Sequence, residues 1–590
     1  MAKRWRLMGH DTGHIEALQA SASVPPLVAQ LLLRRGVADP ESARRFLESR
    51  LAQLRDPELL PGIPRAVEVI LGHVARGSSI VIYGDYDADG MTASAILYGG
   101  LRRLGANVTT FVPNRLEEGY GLHAESFDQL RQRGAELVIS VDCGIGSIEP
   151  IAHARSLGID VVVTDHHTLA ATLPDANAIV HPRLPGSDYP FDGLCGAGVA
   201  FKLIWALGKG HAGADRVAPG MREFLLQAVG LAALGTVADV VPLIDENRII
   251  VRHGLAMLPQ TAPLGLAAML RRTKMDQKSQ LSSEDLAFGI APRLNAAGRL
   301  GQAALGVELL TTEDAERAET LAQYLDELNK SRGTLERRIY QAARKQAEEE
   351  FDPQDDPALV LAAEDWHVGV IGIVAGRLVE RYHRPVIMIA IDGSGSRPAV
   401  GSCRSPAGFH IYRALAECAE HLVGFGGHAA AAGLRIEPNR IGAFRDAFCE
   451  AAGQSIADED RVAEIEIDAE AALHQLTLPI VQQIEQLAPF GMGNPRPILC
   501  ATAVRLAEPP RRMGNGNRHL SLRVEHHGTR LRAVAFGQAD WADQLNDLSR
   551  PIDVAFRPVI NEFRGRRSVE LHLVDWRPTT EEGEDARQPT

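Results

Sequence analysis

Between residues 78 and 181 the sequence alternates short runs of β-branched and apolar residues with segments of helical length. The runs that read as strands are SSIVIYG, NVTTFVP, ELVISVDCG, GIDVVVTDHH and NAIVHP, and MTASAILYGGLRRLG is a helix candidate between the first two. This rhythm is typical of a parallel sheet with helices on its faces. It predicts an α/β fold in which functional side chains lie where strands end.

A second α/β lobe is predicted beyond a long amphipathic segment. Residues 311–350 contain no proline and repeat leucine and alanine at three- and four-residue steps, which predicts one helix. A helix of about 35 residues spans roughly 50 Å, enough to connect two lobes. FDPQDDP then reads as a linker, and residues 358–455 carry strands at ALVLAA, PVIMIAI and AVGSCR. Two lobes facing each other would form a cleft.

The two ends of the chain differ from this α/β body. Residues 1–60 read as short helices, PPLVAQLLLRRG and DPESARRFLESRL among them, and form an N-terminal extension. After residue 460 the pattern becomes a series of short β runs, which predicts a five-stranded barrel of the OB type. The acidic, polar tail at 578–590 is predicted to be disordered.

Charge is segregated along the chain. The net charge of −13 argues against a protein that coats nucleic acid with its whole surface, yet residues 501–577 carry 13 Arg and no Lys against 9 Asp and Glu. These cations lie near turns and among aromatic residues, a mixture that suits sequence-tolerant binding of a single strand. The residues concerned are Arg511, Arg512, Arg518, Arg564, Arg566 and Arg567, with Phe536, Trp541, Phe556, Phe563 and Trp576. Most of the aromatic residues of a small barrel are core, so one or two are expected to contact nucleic acid.

Other features exclude several classes of protein. No run approaches the roughly 18 apolar residues of a membrane span, and the N-terminus has no secretory h-region, so no membrane association and a cytoplasmic location are expected. The six cysteines are scattered without a C-x-x-C pair, so buried free thiols are expected rather than disulfides or a structural zinc site.

The peptide YGDYDADGMTAS places Asp85, Asp87 and Asp89 at alternate positions directly after a hydrophobic strand. Three carboxylates in one loop repel one another unless a cation neutralises them. The alternatives for this peptide alone are a helix N-cap cluster or a solvated loop. An EF-hand is excluded because the downstream Glu and the flanking helix are missing.

Two further strands end in residues of the same kind. Asp142 ends the strand of SVDCG, and Asp165, His166 and His167 end the strand of VVVTDHH. The carboxyl ends of parallel strands meet at one edge of a sheet, so these groups could converge. Asp239 adds a carboxylate at the end of a helix-like apolar run. Mixed oxygen and nitrogen ligands favour Mn²⁺ or Mg²⁺ over a thiolate zinc site.

These motifs together resemble the DHH phosphoesterase superfamily. GDYDADG, VDCG, DHH and GTVADVVPL match its four motifs in order, and GGHAAAAG at 426–433 resembles the motif of the partner DHHA1 domain. Within the superfamily, APRLNAAGR, GSCRS, the long helix and the terminal modules resemble the RecJ family of single-stranded-DNA-specific exonucleases. The domains then expected are an N-terminal extension (1–60), a DHH domain (61–310), a connecting helix (311–350), a DHHA1 domain (351–455), an OB-like domain (456–577) and a tail (578–590).

The resemblance implies a centre with two Mn²⁺ or Mg²⁺ ions. Asp87 would bind one ion and Asp89 the other, Asp142 would bridge them, and His166 and Asp239 would complete the second site. His167 would face the substrate phosphate as an electrostatic or acid–base group, with Asp165 orienting a neighbouring histidine. Many superfamily members begin the first motif with a histidine ligand, where this chain has Tyr83. Asp85 would replace that ligand directly or through a water.

The resemblance also implies a substrate clamp. In GGHAAAAG the expectation is a glycine turn before an alanine-rich helix whose amides receive phosphate, with packing as the alternative. An internal ion pair is the alternative for the two arginines of APRLNAAGR. The implied substrate contacts are Gly426, Gly427 and His428, Ser402 and Arg404 for a 5′-phosphate, and Arg293 and Arg299.

The activity implied is 5′ to 3′ hydrolysis of single-stranded DNA in repair and recombination, with a single-strand-binding protein and a helicase as candidate partners. Three rivals share the motifs. An oligonucleotide or cyclic-dinucleotide phosphodiesterase normally lacks the extra terminal modules, and a type II pyrophosphatase would not need an arginine-rich domain. An inactive replication scaffold should have lost metal ligands, which this chain retains.

Overall fold

Strands and helices alternate through most of the chain and give way to strands near its C-terminus. The computed structural model describes residues 3–113, 121–352, 356–393, 397–456, 462–548 and 550–579. The strands are β1 Arg4–Leu7, β2 Ser79–Gly84, β3 Asn107–Phe111, β4 Leu137–Val141, β5 Asp160–Thr164, β6 Ala178–Val180, β7 Leu359–Ala363, β8 Val386–Ala390, β9 Ala399–Arg404, β10 Gly424–Gly427, β11 Ala431–Ile436, β12 Glu464–Ile467, β13 Ala469–Glu470, β14 Leu499–Met513, β15 His519–His526, β16 Thr529–Ala535, β17 Ile552–Phe563 and β18 Arg566–Pro578.

The helices include one far longer than the rest. They are α1 Thr12–Ala22, α2 Pro26–Leu33, α3 Pro40–Glu48, α4 Ile63–Arg76, α5 Ala88–Arg103, α6 Ala124–Gln132, α7 Ile148–Ser156, α8 Gly196–Ala212, α9 Pro219–Ala238, α10 Asp245–Thr261, α11 Leu264–Arg272, α12 Ser283–Asp285, α13 Ala291–Arg299, α14 Ala303–Thr311, α15 Ala315–Glu350, α16 Val368–Tyr382, α17 Ile411–Glu417, α18 Ile441–Ser455, α19 Leu478–Glu485 and α20 Trp541–Asn546. The predicted connecting helix is α15, and its 36 residues span about 54 Å.

The chain divides into two compact units. The first contains Asp56–Asp239 and His253–Ala463, and the second contains Lys3–Arg55, Val240–Arg252 and the C-terminal segment from Glu464. Residues 3–55 of the predicted N-terminal extension (1–60) therefore belong to the same unit as the C-terminal β domain. From residue 580 onward, the predicted tail lies outside the described residues.

The first unit holds two sheets. The DHH-like sheet has the order β3-β2-β4-β5-β6, and all its pairings are parallel. Its central strand β4 is buried at every position, because helices cover both faces of such a sheet. The chain leaves β2 towards β3 on one side and returns to β4 on the other, so the strand order reverses between β2 and β4. Ligands bind at such switch points, outside the carboxyl ends of the strands.

The second sheet of this unit has the order β10-β11-β9-β8-β7 and is mixed. β7 and β8 are parallel, whereas β8, β9, β11 and β10 pair antiparallel in turn. Helix α16 packs on this sheet, with Val370, Ile371 and Val374 buried against residues of β7 and β8. The predicted second α/β lobe is therefore present.

In the second unit, β14, β15, β16, β18 and β17 pair in sequence, and β14 also pairs with β17. That last pairing closes the barrel, which confirms the predicted five-stranded OB-type domain. The N-terminal helices pack into the same core, where Leu18 and Leu31 join Val481 and Leu522 in one cluster. Strand β1 also pairs in parallel with β12, from Arg4 opposite Glu464 to Leu7 opposite Ile467.

The apolar length of helix α9 is greater than the sequence analysis predicted. It is long and apolar enough to cross a membrane by length and composition, but 72% of its apolar window is buried inside the protein. Its composition is therefore accounted for by packing against α5 and α8.

The six cysteines are free, and all except the half-buried Cys449 are buried, as predicted.

Candidate metal centre

The candidate centre lies at the switch point of the first sheet. Asp85 and Asp87 follow β2, Asp142 follows β4, and Asp165 to His167 follow β5. Asp239 arrives from a different direction, as the C-cap of α9. The structure therefore brings together the acidic and histidine residues of the predicted metal centre, whereas His428 follows β10 of the second sheet.

The first loop is fixed by helix capping. Asp87 is the N-cap of α5, and its Oδ1 accepts the N–H groups of Asp89 at 2.9 Å and Gly90 at 3.0 Å. The N–H of Ala88, between the two aspartates, donates to Oδ1 of Asn295 at 2.8 Å. The N-cap alternative is thus correct for Asp87, and it coexists with the cluster because capping occupies only one carboxylate oxygen.

Asp89 is held by the N-terminus of a second helix. Its two carboxylate oxygens accept the N–H groups of Gly196 at 2.6 Å and Ala197 at 2.9 Å, at the start of α8. These amides and the helix dipole stabilise a buried negative charge. Gly196 is required here, because a Cβ would lie 2.7 Å from the Cβ of Asp142. The sequence interpretation missed this contact, although a glycine-rich helix start in GLCGAG was a signal for it.

Two clusters of possible ligand atoms meet at the centre, and a third group of Asp142, His166 and His167 overlaps both. Atoms of Asp85, Asp87 and Asp142 all lie within 4.8 Å of one another, as do atoms of Asp89, His166 and Asp239. Nε2 of His166 lies 3.0 Å from Oδ1 of Asp142, which links the two sets. The centre therefore offers two adjacent oxygen-rich positions.

The backbone at Asp142 is unusual for a residue other than glycine. Its φ angle is 63°, in the left-handed region, which costs free energy and persists only where the surrounding structure imposes it. Its N–H donates to the carbonyl of Thr164 at 3.0 Å. The strained conformation directs the Asp142 side chain towards both clusters.

The carboxylates are destabilised as charged groups when no cation is present. Burial first, and then the charges of neighbouring aspartates, raise the pKa of Asp89 to about 6, that of Asp239 to about 9 and that of Asp142 well above its usual range. Oδ2 of Asp239 is also buried without a hydrogen-bond donor among the described residues. This donor set fits divalent cations of the Mg²⁺ or Mn²⁺ type, which favour carboxylate oxygens and would neutralise the cluster.

The two histidines have opposite electrostatic surroundings. Burial and the charge of His167 lower the pKa of His166 to about 3, so its imidazole is neutral, as a metal ligand must be. Burial opposes protonation of His167 as well, but the hydrogen bond and charge of Asp165 prevail and raise the pKa of His167 to about 9. With no cation bound, His167 is therefore protonated at neutral pH.

Asp165 organises the loop that carries both histidines. Its Oδ1 accepts from the N–H of His166 at 2.7 Å and of His167 at 3.1 Å, and lies 2.7 Å from Nδ1 of His167. Its Oδ2 accepts the N–H of Ile145 at 2.9 Å. Burial disfavours the charge, but the contacts with His167 outweigh it and hold the pKa of Asp165 at about 2. The His167 side chain is 37% exposed.

Residues just after β6 support this loop and were not predicted as part of the site. Nε2 of His181 donates to the carbonyl of His167 at 2.8 Å, and its Nδ1 accepts the N–H of Arg183 at 3.0 Å. The Arg183 guanidinium donates to the carbonyl of His166 at 3.0 Å. The sequence HPR after the run NAIV was the available signal, but its local pattern indicated only the end of a strand.

Tyr83, at the position where the resemblance places a histidine ligand, contributes to the core instead. It is fully buried, and its ring packs 5.1 Å from that of Phe111 and 6.2 Å from that of Phe127. Successive side chains of a strand point to opposite faces, so Tyr83 follows the hydrophobic side of β2. Asp85 occupies the cluster in its place.

The GGHAAAAG segment differs from its predicted form. Gly426 and Gly427 end β10, Ala431 begins β11, and His428 is exposed at the turn, where its N–H donates to the carbonyl of Ala431 at 2.8 Å. The expected alanine-rich helix is wrong, because cross-strand pairing of Gly427 with Ala432 overrides the helix propensity of alanine. Gly427 also has φ 139°, and a Cβ there would lie 2.5 Å from the Ala431 carbonyl oxygen.

Ser402 and Arg404 lie side by side on β9. A guanidinium N–H of Arg404 donates to Oγ of Ser402 at 3.2 Å and to the carbonyl of Cys403 at 2.8 Å. Both side chains lie over Gly372 of α16, where a Cβ would be 2.7 Å from the serine oxygen and 3.0 Å from the guanidinium. Gly372 thus leaves room for this polar pair.

The two arginines of APRLNAAGR make contacts within the protein. Nε and Nη2 of Arg293 each lie 2.8 Å from Oδ1 of Asp326 on α15, which is the internal ion pair named as the alternative to substrate binding. Arg299 donates to the carbonyl of Gly369, at the start of α16, at 3.1 Å. Asn295 and Gly298 of the same motif contact the loop at 85–89, since Asn295 accepts the N–H of Ala88 and a Cβ at Gly298 would overlap the carbonyl of Tyr86.

In the barrel, the aromatic residues divide between core and surface. Phe556 is fully buried, whereas Phe536 is 53% and Phe563 is 66% exposed. The Phe536 ring packs edge-on against His519 at 5.4 Å and His572 at 5.0 Å, and the Arg564 guanidinium lies 5.2 Å from the Phe563 ring centre. Two aromatic rings with nearby cations or imidazoles are therefore accessible on this domain.

Comparison with known families and structures matches three modules in order. Residues 79–236 match the DHH family N-terminal domain, residues 355–454 the DHHA1 domain and residues 467–575 the RecJ OB domain. The chain is 37% identical over 573 residues to the single-stranded-DNA-specific exonuclease RecJ of Bacillus subtilis, covering 97% of this chain and 70% of that protein.

Two solved structures cover almost the whole chain. Crystal structures of RecJ from Thermus thermophilus, in complex with Mn²⁺ and with Mg²⁺, superpose with TM-scores of 0.81 and 0.77 at 33% and 32% identity. Each match covers 98% of this chain, and 80% and 79% of the respective RecJ chain. Relatives of this chain thus bind both of the metals that its donor set fits.

Proposed function

The chain belongs to the RecJ family of DHH phosphoesterases, a family of metal-dependent exonucleases, and on that basis we propose that it degrades single-stranded DNA from the 5′ end by two-metal hydrolysis. The observation that carries the proposal is the pair of adjacent ligand clusters that meet at Asp142. We assign this activity to DNA repair and recombination in the cytoplasm, with a single-strand-binding protein and a helicase as candidate partners.

Each cluster would hold one ion. Asp85 and Asp87 would bind the first, Asp89, His166 and Asp239 the second, and Asp142 both. Direct ligation by Asp85 is supported by its place within 4.8 Å of the other two carboxylates of its cluster. Divalent ions in these positions lower the pKa of water and offset the negative charge of the phosphate. The α8 amides that hold Asp89 would keep its geometry fixed during turnover.

His167 would supply a positive charge and a transferable proton at the same place. Its Nδ1 is fixed by Asp165, so its protonated Nε2 can donate to a phosphate oxygen or to the departing alkoxide oxygen. Asp165 would act as a positioning residue, because it contacts the imidazole and not the substrate.

The rival function is that of an oligonucleotide or cyclic-dinucleotide phosphodiesterase. Such an enzyme would share the two lobes but would not need an arginine-rich barrel. A long DNA substrate is supported here by the accessible Phe536 and Phe563 among the arginines of that barrel.

A decisive assay incubates the protein with 5′-labelled strands, 3′-labelled strands, a blunt duplex and a dinucleotide, with Mn²⁺ or with EDTA. We expect Mn²⁺-dependent release of nucleotides from the 5′ end of single strands only. Rapid dinucleotide cleavage beside an untouched long strand would contradict the proposal.

Arg404 is proposed to receive the 5′-phosphate, with Ser402 beside it. Arg404→Ala should then reduce the preference for 5′-phosphorylated over 5′-hydroxyl strands by about tenfold or more, since charge-assisted hydrogen bonds contribute roughly 1.5–3 kcal/mol. The preference is measured as the ratio of kcat/KM for the two strands. Arg435→Ala, on the neighbouring strand β11, is the matched control and should leave the ratio unchanged. An unaltered ratio in Arg404→Ala would remove this residue from the phosphate site.

A further inference from the structure

A π-helical turn, Leu286–Ile290, leads directly into α13 and carries the exposed aromatic residue Phe288. Phe288 is 78% exposed, more than any other large hydrophobic residue among the described parts of the chain. Single exposed apolar residues are common and need no explanation by themselves. Phe288 differs because the backbone that presents it is irregular and anchored on several sides. Turns of the π type often occur at functional sites.

Arg293 anchors this turn to the long helix. Its guanidinium donates to the carbonyl of Gly289 and, through two nitrogens, to Asp326 of α15. On the other side Gly289 packs on Met275, where a Cβ would lie 1.8 Å from Cε. Leu286 and Ile290 are fully buried, so Phe288 is exposed on a turn whose flanking residues are fixed in the core.

Helix α13 connects the turn to the loop at 85–89 that carries proposed metal ligands. Asn295, which accepts the N–H of Ala88 between two of the proposed ligands, is seven residues beyond Phe288. At 1.5 Å per residue this is about 10 Å along the axis. That distance corresponds to roughly three nucleotides at the ~3.4 Å spacing of stacked bases.

Lys274 is adjacent in sequence to Met275, the residue against which Gly289 of the turn packs. Arg271, Arg272 and Lys278 are paired with Glu319, Asp326 and Asp285. Lys274, next to Met275, is exposed with φ 59°, and no carboxylate among the described residues lies within ion-pair distance of it. An exposed ring with an uncommitted ammonium is the combination that binds a base and its phosphate in single strands.

We propose that Phe288 is a base-stacking platform for the single strand outside the metal centre, with Lys274 contacting the adjacent backbone phosphate. This proposal rests on the proposed function. It assigns to Phe288 the dependence of binding on the length of the strand. Arg293 then acts as a positioning residue, because it holds the turn that presents the ring. A protein partner on Phe288 is the alternative, but Lys274, which has no carboxylate within ion-pair distance among the described residues, favours an anionic strand.

The test uses the full chain and single strands of increasing length with Mn²⁺. For the wild type we expect KM to fall when the strand becomes long enough to reach Phe288. In Phe288→Ala that fall should be lost, so KM for a 20-nucleotide strand rises about tenfold with kcat within twofold, because stacking contributes roughly 1–3 kcal/mol per base. Phe288→Tyr should restore the wild-type profile. Lys274→Gln should reduce the slope of log K for binding against log salt concentration by about one, as expected for the loss of one phosphate contact.

A second readout does not require hydrolysis. Strands that carry 2-aminopurine at successive positions are bound in EDTA, and we expect changed emission at one or two adjacent positions in the wild type and Phe288→Tyr but not in Phe288→Ala. Leu59→Ala, at another exposed apolar residue of the same unit, should behave like the wild type. Failure of the wild type to degrade any single strand with Mn²⁺ would refute the proposed function. Normal degradation with identical length profiles in Phe288→Ala would refute the platform alone.

Discussion

Replacing Asp142 by asparagine should reduce hydrolysis of single-stranded DNA at least about a thousandfold, which corresponds to roughly 4 kcal/mol of transition-state stabilisation. Asp142 is the residue that both ligand clusters approach, and it is almost completely buried. The amide preserves size and tolerates the left-handed backbone of this position, whereas alanine would add strain. The loss therefore reports on the carboxylate charge and not on the fold.

Three measurements separate this prediction from a general loss of structure. Calorimetric Mn²⁺ binding should weaken severely in Asp142→Asn, while binding of single-stranded DNA in EDTA and the thermal unfolding midpoint should stay close to wild type. Asp128→Asn, at a half-exposed aspartate that pairs with His153 on the surface, is the control for charge removal elsewhere. Turnover at the wild-type rate in Asp142→Asn would mean that the assignment of the metal ligands is wrong.

The sequence predicted the features that local patterns encode. The strands of the DHH-like sheet, the 36-residue helix and the barrel strands follow from hydrophobic periodicity, and the convergence of Asp87, Asp142 and His166 follows from the geometry of parallel strands. Each of these needs only short windows of sequence and one rule about strand ends. The general position of the site was therefore predictable before its geometry was known.

Features that depend on contacts distant in sequence were not predictable in this way. β1 pairs with β12 across some 460 residues, and nothing in RWRL alone indicates a partner. In GGHAAAAG the pairing of β10 with β11 overrides the helix propensity of four alanines. Asp89 is held by amides of α8 more than 100 residues away. In each case a tertiary contact determines a local structure that sequence propensity leaves open.

His167→Ala should lower kcat for single-stranded DNA by about 10² to 10⁴-fold while leaving Mn²⁺ binding nearly intact, since positioned acid–base groups contribute factors of that size. His167 lies in a group with Asp142 and His166 but is not among the proposed ligands, and His166 stays in the group with Asp89 and Asp239, so the proposed second site keeps its ligands. The variant removes the imidazolium that Asp165 holds at 2.7 Å. Asp165→Asn should cause a smaller loss, because the imidazole remains but is no longer held as a cation.

The two roles open to His167 predict different responses to the leaving group. If Nε2 protonates the departing oxygen, His167→Ala should lose far less activity on a p-nitrophenyl phosphodiester, whose leaving group needs no proton, than on DNA. If His167 instead neutralises the phosphate, the loss should be similar on both substrates, because the charge it offsets is the same. If His167→Ala keeps the wild-type kcat on both substrates, both roles are excluded. The Asp165–His167 pair is then a structural feature of the loop.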